Sequence, residues 1–330
     1  MDTQAGRVVV GYDGSPHAGA ALDWAAAYAR RRHLPLTVLN VVDYLGQLPA
    51  TLPTVPMPRR VEEVAGQAAQ QVTTEGVHRA HRQAGSIDIT AVTHVSRVAY
   101  SLIEHSREAT LLVVGTRGHG ELSGALLGSV AFAVSGHAHC PVLVVRGDTA
   151  LPPGPDRPVV VGVDASPGSD AAVCFAADQA DADAADLIVV TAYQSLSAQI
   201  SPEGRSFDET VRQAAELAVT AATDVAERRC PGLSVVPRVT AGSVAEVLTG
   251  TADGAGLVVV GARGHGGFAG LRLGSVSHHL IHSSPCPVAV ISDAEADRSE
   301  ADPGPSQLEQ CDPSRSGPSS LPPTPTSDED

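Results

Sequence analysis

Gly115-Thr116-Arg117-Gly118, nine further residues and Gly128-Ser129 form a block that returns as Gly261-Ala262-Arg263-Gly264, nine further residues and Gly274-Ser275. Each copy follows a short apolar run, 111–114 and 257–260, and each precedes a helix-like segment ending in Cys-Pro-Val. A short apolar run reads as a buried strand, and Gly-Ser after a loop reads as a helix start. Glycines at a strand end followed by a helix start suit the holding of phosphate. Their return in the same setting means that a whole domain is duplicated.

Each block closes the same series of elements. The first unit opens with Arg7-Val8-Val9-Val10-Gly11-Tyr12-Asp13, a buried-strand pattern, and Gly14-Ser15-Pro16 signals a helix with proline in its first turn. Ala18, Ala21, Leu22, Ala25, Ala26 and Ala29 recur at helical spacing. Strands are expected over 36–42, 87–94, 111–115 and 142–146, and helices over 59–84, 98–107 and 128–137, with a loop over 43–58. The second unit repeats the order. Its strand 158–164 and the helix opening at Ser166-Pro167 are followed by strand 187–193, helix 208–229 and strand 233–240. Matching elements lie at 244–251, 257–261 and 288–291.

These units place domain 1 at 1–146, a linker at 147–157, domain 2 at 158–292 and a tail at 293–330. The prolines of the linker make it semi-rigid. The tail is rich in Pro, Ser, Asp and Glu, holds ten acids against two Arg, and is expected to be disordered. About half of the chain's net charge of -15 therefore falls outside the folded pair. Alternating strands and helices indicate an α/β fold of two tandem doubly wound domains, each a parallel sheet with helices on both faces. Ligands in such sheets bind beyond the carboxyl ends of the strands, where strand order reverses.

Composition removes several functions. A duplex-binding surface needs a basic stripe, and none exists, so no nucleic-acid partner is expected. All 22 basic residues are Arg, which excludes a P-loop Lys and a kinase-type Lys. There is no Walker A motif, and no G-x-G-x-x-G follows the first strand. The five cysteines, Cys140, Cys174, Cys230, Cys286 and Cys311, form neither a disulfide framework nor a zinc pattern. Cys140 and Cys286 read as small buried thiols. Without a signal-peptide core or a membrane-length apolar run, no membrane partner and a cytoplasmic location are expected.

Gly115, Gly118, Gly261 and Gly264 would let the main chain turn sharply and bring N–H groups to an anion. Gly128-Ser129 and Gly274-Ser275 would open helices whose N–H groups, dipole and Ser hydroxyl favour phosphate oxygens. Asp13 and Asp164 would accept ribose hydroxyls or hold a magnesium ion bridging to phosphate. Together these groups suit a nucleoside triphosphate. Ligand-free readings stand beside these: tight turns for the glycines, N-cap or turn roles for Asp13 and Asp164, and plain N-caps for Ser129 and Ser275. Arg117-Gly118-His119-Gly120 recurs as Arg263-Gly264-His265-Gly266. Both histidines are open to phosphate contact, catalysis or a solvent position, and no carboxylate or nucleophile can be placed beside them.

Val-Val-Gly-x-Asp-x-Ser at each opening, G-x2-G-x9-G-[ST] near each end and Cys-Pro-Val at each last strand resemble the universal stress protein family. The resemblance covers about 1–146 and 158–292. It implies a five-stranded parallel sheet of order 3-2-1-4-5 per domain, ATP as ligand, and pairing of the domains through their last strands. It implies Asp13 on the ribose, Val41 facing adenine through its backbone, and Gly115, Gly118, Gly128, Ser129 and Val130 on the phosphates. In domain 2 the matching positions are Asp164, Ala192, Gly261, Gly264, Gly274, Ser275 and Val276. Ala192 stands where a larger apolar residue is usual. Gly242-Ser243-Val244 matches a family pattern that the first copy replaces by Ser96-Arg97-Val98.

The leading expectation is a regulatory ATP-binding protein, not an enzyme, with one site per domain and occupancy signalled to a protein partner or to assembly such as a homodimer. The alternatives are a slow ATPase or phosphotransferase using His119 or His265, and an interaction module independent of nucleotide with the acidic tail as its working part.

Overall fold

The computed structural model describes residues 6–43, 59–118, 128–147, 151–194, 204–264 and 272–292. The expected tail, most of the loop after the second strand, and His119, Gly120, His265 and Gly266 lie outside the described residues.

Domain 1 runs β1 (Arg7–Gly11), α1 (Pro16–Arg32), β2 (Leu36–Val42), α2 (Arg59–Ala84), β3 (Ile89–Val95), α3 (Val98–His105), β4 (Ala109–Gly115), α4 (Ser129–His137) and β5 (Val142–Val145). Domain 2 repeats this as β6 (Val159–Gly162), α5 (Pro167–Ala182), β7 (Leu187–Tyr193), α6 (Gly204–Arg229), β8 (Val235–Ala241), α7 (Val244–Thr251), β9 (Leu257–Gly261), α8 (Ser275–Ser283) and β10 (Val288–Ile291). The strands form one ten-stranded sheet in the order β3-β2-β1-β4-β5-β10-β9-β6-β7-β8. Each half therefore has the expected order 3-2-1-4-5. Neighbours within a half are parallel, while β5 and β10 pair antiparallel, with Leu143 opposite Ala289.

Residue chemistry explains these elements. Val8, Val9 and Val10 are all completely buried, as a central strand covered on both faces requires. Ala18, Ala21, Ala25, Ala26 and Ala29 form the buried side of α1, and their small side chains let the helix lie close to the sheet. Ser15 caps α1 by accepting the Ala18 N–H at 3.2 Å, and Ser166 caps α5 by accepting the Ser169 N–H at 3.3 Å. One core joins α1, α2, α5 and α6 to one face of the sheet. A second joins α3, α4, α7 and α8 to the other.

Element ends differ from expectation by a few residues. β3 and β8 begin at Ile89 and Val235. Ile87 and Leu233 instead pack on the core ahead of the ladder. Helix α3 stops at His105 because Ser106 turns the chain: its hydroxyl donates to the Ile103 carbonyl at 2.5 Å and accepts the His139 N–H at 2.8 Å. The linker is also pinned. Arg157 Nε donates to the Pro152 carbonyl at 2.8 Å, and Pro153 lies so close to Gly256 that a Cβ there would sit 2.5 Å from Pro153 Cα.

The two domains also meet through side chains. The Asp183 carboxylate, 3% exposed, lies 2.9 Å from Arg31 Nε and 3.7 Å from Arg32 Nη1. Arg32 Nη2 donates to Gln179 Oε1 at 2.7 Å, and its guanidinium lies over the Tyr28 ring at 4.2 Å. Tyr28 in turn stacks on Trp24. Burial pulls the Arg31 guanidinium below its ordinary pKa, against the opposing pull of Asp183. On the other face Phe132 of α4 meets His278 of α8 edge to face, at 5.5 Å between centroids.

Removing the buried acceptor leaves two guanidinium groups without their counter-charge. Asp183→Ala is expected to lower stability by about 3 kcal/mol, read from denaturant midpoints; a change within experimental scatter would contradict this account of the domain contact. Cys140 and Cys286 are buried as expected, and burial pushes the Cys286 thiol up to about 11 from an ordinary 9.0. The native state thus holds this proton longer than the unfolded chain. The stability contributed by the neutral thiol is present below pH 9 and is lost as pH rises toward 11. Alkylation at pH 8, followed by peptide mass spectrometry, is expected to leave Cys286 unmodified until the chain is unfolded.

Candidate functional site

In each domain the first and fourth strands are neighbours from which the chain departs to opposite faces of the sheet, β1 to α1 and β4 to α4. This opens a crevice at their carboxyl ends. Asp13 follows β1. Its Oδ1 accepts the Ser15 N–H at 2.9 Å, across a turn that Gly14 makes at φ +87°. In domain 2, Asp164 Oδ1 accepts both the Ser166 N–H at 3.1 Å and the Ser166 hydroxyl at 2.6 Å. There Ala165 takes the left-handed turn, at φ +62°. The N-caps are therefore Ser15 and Ser166, and each aspartate is a turn residue through one carboxylate oxygen.

The other oxygen reaches the glycine block. A Cβ at Gly118 would overlap Asp13 Oδ2, and a Cβ at Gly264 would overlap Asp164 Oδ2. A Cβ at Gly115 would lie 2.7 Å from the carbonyl carbon and oxygen of His17, in the first turn of α1. At Gly261 it would lie 3.1 Å from the corresponding atoms of Gly168. None of the six block glycines is among the described residues with positive φ. The expected turn is present, with bends at Thr116 and Ala262, and it uses no left-handed backbone at these glycines. Their lack of a side chain serves close approach, bringing the end of the fourth strand against a helix and the loop against a carboxylate.

The described residues that flank each nine-residue stretch are tied together. The Gly128 N–H donates to the Thr116 carbonyl at 2.9 Å, and the Gly274 N–H to the Ala262 carbonyl at 2.7 Å. Gly128 and Gly274 are the N-caps of α4 and α8, and neither helix start has a side-chain cap. Ser129 and Ser275 are the first helical residues, so the plain N-cap reading of these serines is also corrected. Val130 and Val276, one residue on, pack their side chains on the core. Arg117 and Arg263 stand between the glycines of each block, Arg117 half-buried and Arg263 exposed.

The second strands complete the crevice. The β1–β2 ladder ends at Gly11 opposite Leu39, and the Leu39 carbonyl accepts the Tyr12 N–H at 2.9 Å. Because main-chain groups alternate along a strand, Val41 directs its N–H and C=O to the same side, beyond the last rung of β1. Ala192 stands likewise beyond β6, whose ladder ends at Gly162 opposite Val190. The turn before the third helix also recurs. The Ser96 N–H donates to the Val42 carbonyl at 3.1 Å, and the Gly242 N–H to the Tyr193 carbonyl at 2.9 Å. Gly242 has φ +145° and Ser96 has no positive φ, so the missing glycine changes the backbone but keeps the bond.

Sequence reasoning missed the part played by the first turns of α1 and α5, since nothing in the spacing shows that His17 and Gly168 abut the fourth strands. It also missed Ser277, whose hydroxyl donates to the Gly261 carbonyl at 2.7 Å and fixes α8 to β9. The first copy has Ala131 there. Only the difference between the copies offered a signal.

This arrangement defines a tandem doubly wound α/β protein with an equivalent glycine-lined crevice in each half. The chain belongs to the universal stress protein family, whose family model matches residues 5–146 and 157–292. A universal stress protein of Mycobacterium tuberculosis strain H37Rv is 35% identical over 287 residues, covering 86% of this chain and 96% of its own length. One of Mycolicibacterium smegmatis is 33% identical over 293 residues, covering 86% and 96%. Among solved structures, a universal stress protein from Archaeoglobus fulgidus superposes with a TM-score of 0.60 at 20% identity, over 88% of this chain and 97% of that one, which shows the shared fold.

The packing separates the two ends of the block. Gly115→Ala forces a Cβ into the backbone of α1 and is expected to cost about 1–3 kcal/mol. Ser129→Ala removes no cap and is expected to stay within about 0.5 kcal/mol of the parent. Denaturant titration of both variants checks this, and a loss near 1 kcal/mol for Ser129→Ala would restore the capping reading.

Proposed function

We propose that each domain binds ATP in this crevice and that the chain is a cytoplasmic regulatory stress-response protein whose output is nucleotide occupancy. One observation carries the reading. In both halves an aspartate oxygen at the end of the first strand meets the second glycine of the block, beside a helix start that no side chain caps. Anionic oxygens suit the N–H groups of such a helix start, and a carboxylate across the crevice suits sugar hydroxyls. The main-chain groups of Val41 and Ala192, past the end of the first strand, suit the polar edge of adenine. Family membership agrees with this assignment.

In this reading Gly115, Gly118, Gly128, Ser129 and Val130 hold phosphate in domain 1, and Gly261, Gly264, Gly274, Ser275 and Val276 do so in domain 2. Arg117, His119 and Gly120, with Arg263, His265 and Gly266, belong to the two phosphate arches. Among the described residues no group of three or more His, Cys, Asp or Glu could hold a metal. A magnesium ion bound with the nucleotide would have Asp13 or Asp164 as a carboxylate contact and would offset phosphate charge. No described helix is long and apolar enough to cross a membrane. The edges β5 and β10 are already paired within the chain, so a homodimer would use other surfaces, and a protein partner would read the occupied state.

The test is nucleotide extracted from dialysed full-length protein. Two ATP per chain are expected, falling to one in Asp13→Ala and to none in Asp13→Ala/Asp164→Ala. Added ATP at a hundredfold excess over Kd is expected to stabilise each site by about 2.7 kcal/mol. Empty sites with no thermal shift at millimolar ATP would end the proposal. Turnover abolished by His119→Ala/His265→Ala would convert it into the enzymatic alternative.

A further inference from the structure

The two crevices are not built alike, and the difference lies where the domains touch. Gly136 stands in the last turn of α4, in domain 1, where glycine is a poor helix former. A Cβ there would lie 3.1 Å from Arg272 Cβ and 3.5 Å from the Arg272 carbonyl carbon and oxygen. Arg272 belongs to domain 2, two residues before Gly274, the N-cap of α8. Between them Leu273 is buried in the core, so the segment is held on both sides. One turn earlier on α4, Phe132 meets His278 of α8 and keeps the two helices in register.

The pseudo-symmetric position of Gly136 in α8 is His282, which has a side chain where α4 has none. The glycine seat is therefore present only on α4. The tight neighbour is Arg272 Cβ, which is bonded directly to the backbone, while the Arg272 carbonyl group stands at ordinary contact distance. A methyl at 136 asks Arg272 to give by a few tenths of an ångström, and a larger side chain presses further on the segment leading into Gly274-Ser275.

We infer that Gly136 of domain 1 is a positioning residue for the nucleotide site of domain 2, so that the second site is completed across the domain boundary while the first has no such glycine seat on α8. This rests on the proposal that both crevices bind ATP. Displacing Arg272 shifts the N-cap and the opening N–H groups of α8, the groups assigned to phosphate. Gly136 itself lies seven residues from Ser129, about 10 Å along the helix, and leaves the first site's own N-terminus in place.

The experiment uses full-length protein with one site disabled at a time and ATP binding measured by calorimetry. In Asp13→Ala protein, which retains site 2, adding Gly136→Leu is expected to weaken ATP binding by about 3- to 30-fold. In Asp164→Ala protein, which retains site 1, the same change is expected to alter affinity by less than about twofold. Leucine is a good helix former, so the helix itself does not suffer. If the leucine variant does not fold, Gly136→Ala is expected to give a smaller loss confined to site 2. Equal losses at both sites, or no loss at site 2, would overturn the inference. Failure of either single-site parent or of the wild-type chain to bind ATP would instead remove the functional proposal on which it stands.

Discussion

Val142, Leu143 and Val144 pair antiparallel with Val290, Ala289 and Val288, and the rest of the molecule is arranged around these rungs. A five-stranded parallel sheet leaves its fifth strand exposed at an edge, with unpaired main-chain groups and apolar side chains. Joining the two fifth strands satisfies those groups and fuses two sheets into one. It also sets a pseudo-two-fold axis that brings α1 to α5 on one face and α4 to α8 on the other. The outer edges, β3 and β8, are of a different kind. Their side chains are largely half-buried or exposed, and β8 carries Pro237 and Arg238, residues that discourage further pairing.

Small residues do most of the positioning at the crevices. Alanines bring α1 close to the sheet, and that closeness forbids a Cβ at Gly115. The same logic recurs at Gly118 against Asp13, at Gly256 against Pro153 and at Gly136 against Arg272. In each case the neighbour that crowds the glycine is distant in sequence. The proposed anion cradle and the packing thus draw on the same glycines, because a missing side chain permits both kinds of close approach.

Duplication did not leave two identical halves. Gly14 and Ala165 make the same left-handed turn, and only glycine does so without strain. Ala131 and Ser277 occupy equivalent helix positions, and only the serine ties its helix to the neighbouring strand. Gly136 and His282 differ at the domain boundary. These substitutions give the two sites different surroundings while the aspartate–glycine contact stays common to both.

Much was legible in the residues alone. The glycine blocks, the alternation of apolar strands with alanine-rich helices, and Asp13 and Asp164 after Val-Val-Gly marked two tandem doubly wound domains and the ends of the strands that matter. Local periodicity and turn chemistry carry this information, because they depend on neighbours a few residues apart. The tertiary structure decided what such patterns cannot hold: that the block glycines serve close approach to His17, Gly168, Asp13 and Asp164, that Ser129 and Ser275 do not cap, and that Asp183 joins Arg31 and Arg32 across the boundary. It also decided that Gly136 abuts Arg272 of the other domain. Apart from the helix starts at Ser129 and Ser275, each of these is a contact between segments far apart in the chain, set by packing and by the axis that the paired fifth strands impose.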